Sequence, residues 1–129
     1  MASPSHTGSA SQSDQPAWLM AAVELFRVRG YLTLFVRIGY ELVLIVSGPS
    51  GEAAIIDLSH EPSSFWNDTW TGMRQVLPRV PVVVVISAHE PDEFALEDRV
   101  PVTRMTDPVE PEQLVRAVEH LLHQANSGP

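Results

Sequence analysis

Asp57 and Ser87 are the residues whose types and placement most invite chemistry. Each closes a short apolar run: Glu52-Ala-Ala-Ile-Ile-Asp57 ends in a carboxylate, and Pro81-Val-Val-Val-Val-Ile-Ser87 ends in a hydroxyl. Open parallel sheets gather ligands at such strand ends. A carboxylate there can hold a cation, and a hydroxyl can bond an anion or simply its own loop backbone. His60 and His89 follow the same two strands, and with Asp57 and Asp107 they make a nitrogen–oxygen set of the kind divalent metals accept. Solvated loop histidines are the plainer reading. His120 and His123 stand three apart near the end of a helical stretch, where they suit the negative helix terminus better than a metal.

The composition removes several chemistries. The chain has 129 residues, of which 16 are acidic and 8 basic, for a formal charge of −8. That balance argues against nucleic acid and against an anionic membrane surface as partners. Every basic residue is an arginine, so Schiff-base and lysine acid–base chemistry are excluded. No cysteine is present, which excludes disulfides, thiolate nucleophiles and cysteine-based metal sites, and suits the cytoplasm. The apolar stretch 17–45 is interrupted by Glu24, Arg27, Arg29, Arg37 and Glu41, each costly at a bilayer centre, so no membrane insertion is expected.

The elements that must position these groups fit one domain over 17–124, between a Ser/Gly-rich tail (1–16), expected to be disordered, and a C-terminus (125–129) expected to fray. Residues 18–25 suit a buried strand or a helix start. Residues 26–38 fit two periods. Val28, Tyr31, Leu32, Phe35 and Ile38 make a helical stripe, while Leu32, Leu34, Val36 and Ile38 alternate as in a strand. The helix is the expectation, ended near Gly39. Strands follow at 41–46, 53–58, 82–86 and 100–105. Helices are predicted over 65–77 and 109–124, with a turn or two at 91–97. Phe65, Trp66 and Trp70 cluster near the start of one helix; Trp66 and Trp70 share a stripe with Met73 and Leu77 and read as core, with a partner anchor as the alternative.

Over roughly residues 19–123 this order resembles the response-regulator receiver domain, the CheY-like fold. Ile55-Ile-Asp57-Leu resembles the third strand, and Val84-Val-Ile-Ser87-Ala88 the fourth; Asp57 and Ser87 are thirty residues apart, as in that family. The segment 102–118 resembles the last strand, the Lys-Pro corner and the final helix, and 27–40 the first helix with its Gly-Tyr exit. The resemblance implies a three-layer, doubly wound, mainly parallel α/β sheet. It also implies Asp57 as phospho-acceptor, Ser87 as phosphoryl contact, and Mg²⁺ held by Asp57 with an acidic pair. Here that pair falls on Val23 and Glu24, leaving one carboxylate. The lysine position falls on Asp107, and the switch aromatic on Arg104. An extra anion would oppose a phosphoryl group by about 1–4 kcal/mol at contact range.

One link is too short for that fold. Only residues 47–52 separate the strands at 41–46 and 53–58, where receivers place a helix. Parallel strands need a crossover of about a dozen residues or more. The helix is therefore reduced to an extended return, or the two strands form an antiparallel hairpin. The hairpin resembles the STAS domains of anti-sigma-factor antagonists, in which an Ile-Ile-Asp-Leu-Ser strand precedes a serine at a helix start; Ser63 or Ser64 stands there.

Together these readings predict a cytoplasmic, non-enzymatic regulatory module that binds a protein partner or a second copy of itself. It is receiver-like, with an incomplete phosphorylation site and no cofactor unless Mg²⁺ serves a working Asp57. A phosphoryl-accepting regulator and a STAS-like regulator are the alternatives. No nucleophile–base motif or Gly-rich phosphate loop is present.

Overall fold

The computed structural model describes residues 16–38, 41–60, 63–87 and 101–127. In chain order these form α1 (Ala17–Val28), β1 (Leu32–Ile38), β2 (Glu41–Gly48), β3 (Gly51–Asp57), α2 (Trp66–Val76), β4 (Val82–Ser87), β5 (Val102–Asp107) and α3 (Pro111–Ser127). A 3₁₀ turn, Ser63–Phe65, leads into α2. The expected tail lies in residues 1–15, and the short helix at 91–97 in residues 88–100; both fall outside the described residues, apart from Pro16 at the edge of α1. The last helix continues through Ser127, beyond its expected end at Gln124.

The helix expected over 26–38 is corrected. The helix lies one segment earlier, and 32–38 is a strand. Leu19, Ala22, Val23 and Phe26 form the buried stripe of α1. Gly30, at φ +92°, then stops it. The Gly30 N–H donates to the Arg27 carbonyl and the Tyr31 N–H to the Phe26 carbonyl, at 3.0 and 2.9 Å. This pair of bonds is a Schellman ending, sealed by the Tyr31 ring set edge-on against Phe26 at 5.7 Å. With the helix closed at Gly30, the alternation in 32–38 prevails.

The five strands lie in the order β1-β2-β3-β4-β5. The β1–β2 and β2–β3 pairs are antiparallel, and the β3–β4 and β4–β5 pairs are parallel. The sheet is thus mixed, an antiparallel meander joined to a parallel half, and not mainly parallel as expected. The cause is the connection at 48–51. Gly48 pairs with Gly51 across a two-residue turn, which can only reverse the chain. Gly51 supplies the positive φ, +128°, at the turn exit. Gly48 has a different reason: a Cβ there would lie 2.7 Å from the Tyr31 ring.

The helices cover both faces, giving three layers. α1 and α3 pack on the face built by Leu44, Val46, Ala53, Ile55, Val83 and Val85. α2 covers the other with Trp66, Trp70 and Met73, over Val43, Ala54, Ile56, Val82 and Val84. β3 and β4 are apolar on both faces because both are covered, which explains their continuous apolar runs. Arg74 holds the exit of α2: its Nη1 donates to the carbonyls of Leu77 and Val80 at 2.9 and 2.6 Å, and its guanidinium stacks 5.0 Å from the Trp70 ring.

Candidate functional site at the strand ends

Strand alternation brings three of the predicted residues to one place. Ile55 and Val85 point into the α1/α3 core, and Met105 packs against it. Asp57, Ser87 and Asp107 each follow two positions later, so all three side chains leave the same face at the C-terminal ends of adjacent strands. Asp57 is paired with Val85, and Ser87 with Asp107. Ser87 and Asp107 are therefore direct neighbours, and Asp57 sits one pleat further back.

Asp57 is 9% exposed, the one buried charged residue among the described side chains. Its Oδ1 accepts the Ser59 backbone N–H at 2.9 Å and the Ser59 hydroxyl at 2.6 Å. These bonds close the turn after β3, as an aspartate before a turn commonly does. Its Oδ2 lies 3.8 Å from His60 Nδ1, and His60 Nε2 lies 3.7 Å from Glu41 Oε1. Those distances are too long for hydrogen bonds. Asp107 is engaged from the other side, where the Trp18 indole Nε1 donates to its Oδ1 at 3.2 Å.

The remaining candidates lie elsewhere. Val23 is buried in α1, while Glu24 on the next position is exposed and pairs with Arg27 at 3.5 Å. Glu24 is thus a helix-surface residue, away from the strand end where the resemblance placed a metal ligand. Arg104 leaves β5 on the α2 side and is exposed. His89 is outside the described residues. His120 and His123 are exposed on the outer face of α3. Among the described residues no three His, Cys, Asp or Glu side chains converge as metal ligands. Trp66 and Trp70 are core, as read, and Phe65 is exposed.

Two arrangements escaped the sequence. One is Trp18 on Asp107, for which the only local signal was an indole N–H in an apolar helix, which needs an acceptor. The other is Glu119. Its carboxylate accepts from Arg29 Nη1 at 3.0 and 3.3 Å and from the Tyr31 hydroxyl at 3.3 Å. The Tyr31 pKa is raised, first by burial and then by the Glu119 charge that its hydroxyl bonds, with Arg29 opposing. Nothing local marks residues ninety positions apart.

No helix among the described residues is long and apolar enough to cross a membrane. No family model, curated protein or solved structure matches this chain at a significant level.

Proposed function

We propose that this protein is a regulatory protein–protein interaction module of the cytoplasm that works without aspartyl phosphorylation. One observation carries the reading: Asp57, its Oδ1 bonded to Ser59 at 2.9 and 2.6 Å, shares one face of the sheet with a second carboxylate, Asp107. A phosphoryl acceptor needs a nearby cation to offset the charge that it gains. Here β5, two strands away from β3, contributes Asp107, and the chain has no lysine. A second anion raises the cost of adding a dianionic group. The receiver-like winding is part of this proposal only for the parallel half, β3 to β5.

The test is a titration of isotope-labelled protein with Mg²⁺ and then beryllofluoride, followed by backbone NMR beside an Asp57→Ala control. The expected result is an unchanged spectrum. Saturable shifts at Asp57, Ser87 and α3 that disappear in the control would establish a phosphoryl-accepting regulator instead.

A second reading is favoured by the hairpin. Antiparallel pairing of β2 with β3, followed by a strand–helix–strand unit, is the arrangement that the STAS resemblance requires and a receiver lacks. Under it, the regulated group is a serine in the turn entering α2, where Ser64 is exposed. Mass spectrometry of protein isolated from its own cells is the check. Phosphate on Ser63 or Ser64 supports this reading, and its absence under all growth conditions sinks it.

A further inference from the structure

β1 is an outer strand, and no described strand lies beyond it. Its pairing with β2 is unbroken from Leu32↔Ser47 to Ile38↔Glu41, without a bulge. It contains no proline and no lysine, the usual devices that keep an edge from pairing. The other edge, β5, is guarded: it follows Pro101, precedes Pro108, and carries an exposed Arg104 and Thr106. The β1 edge is also apolar where it meets solvent, with Leu32 76% and Leu34 62% exposed. Both face the α2 side, since Leu34 and Val36 oppose Ile45 and Val43.

We infer that β1 is the homodimer interface of this protein, pairing antiparallel with β1 of a second copy about a two-fold axis through Phe35. That register is self-complementary. Leu32 meets Ile38 of the copy, Leu34 meets Val36, and Phe35 meets Phe35. A two-fold axis perpendicular to the sheet keeps each face on its own side, so the two apolar strips merge. The charge pattern selects a copy of this chain as the occupant. The molecule carries −8 overall, yet residues 25–40 contain no acid, and the only charge in β1 is Arg37. In this register Arg37 opposes Thr33, so no like charges meet. Self-pairing uses both β1 edges at once and leaves only the guarded β5 edges outside, which closes the assembly at two. The inference is independent of the state of Asp57.

Analytical ultracentrifugation of the full chain over a wide concentration range tests it, with two variants. The native chain should sediment at twice its 14.2 kDa mass. Leu34→Lys, at an exposed position, should weaken association by about tenfold or more while keeping the native circular dichroism spectrum. Thr106→Lys, on the opposite edge, should leave the dimer intact. A native chain that stays at monomer mass to millimolar concentration overturns the inference. So does a dimer that survives Leu34→Lys or is lost equally in Thr106→Lys.

Discussion

Trp18 and Asp107, eighty-nine positions apart, are joined by one hydrogen bond of 3.2 Å from the indole to the carboxylate. It fixes the start of α1 against the end of β5. Trp18→Phe removes the donor and keeps most of the apolar body, and should cost about 1 kcal/mol at this partly exposed site. Asp107→Asn retains an acceptor and should cost less than Asp107→Ala. Urea unfolding of the three variants measures the order.

Alkali should act through Tyr31. Its folded-state pKa lies above the ordinary tyrosine value, because burial and the Glu119 carboxylate both disfavour the phenolate. The contribution is whole below the unfolded value and is lost as pH rises through the raised one. Melting temperature should therefore fall above about pH 10, and Tyr31→Phe should fall less steeply over the same window. Parallel curves for the two proteins would remove Tyr31 from the explanation.

The turn after β3 depends on Asp57. Ser59→Ala deletes one bond to Oδ1, whereas Asp57→Ala strips the acceptor from both the hydroxyl and the backbone N–H. The second should be the costlier, by about 1–3 kcal/mol in all, since it leaves a part-buried donor unmet. Chemical denaturation ranks them, and amide exchange at Ser59 should accelerate in Asp57→Ala.

Gly48 is a steric requirement. Its added methyl would meet the Tyr31 ring at 2.7 Å, and that ring is tethered through its hydroxyl to Glu119. Gly48→Ala should destabilise the fold by about 1–3 kcal/mol, in line with overpacking elsewhere. The double variant Gly48→Ala/Tyr31→Ala should show a coupling of opposite sign to the single losses, readable from a double-mutant cycle.

The strands from β2 to β5 were legible because β-branched runs such as Val82–Ile86 are poor helices and good buried strands. The stripe Leu19, Ala22, Val23, Phe26 was not, because the run 18–25 is apolar almost throughout and suits a strand or a helix start alike, while a helical spacing over Val28, Tyr31, Leu32, Phe35 and Ile38 placed the helix downstream. What decided between them was the ending at Gly30, which rests on a backbone φ and a Phe26–Tyr31 contact rather than on periodicity. The short 48–51 link left two topologies open, and only strand pairing resolved them. At the candidate site, the strand-end positions of Asp57 and Ser87 were readable. Their shared face with Asp107, and the bonds that occupy both carboxylates, follow from register and from contacts between distant segments.

The core over one face of the sheet is assembled from both flanks of the chain, α1 and α3, on either side of every strand in sequence. A nascent polypeptide that has emerged as far as Asp107 can have its strands in place while Leu44, Val46 and Ile55 still await Leu114, Val118 and Leu121. Synthesis must deliver α3 before that face is dry. Until then an unfinished chain presents greasy surface of the sort that chaperones grip, and a ribosome stalled after β5 holds a sticky half-product rather than a smaller working version of the protein.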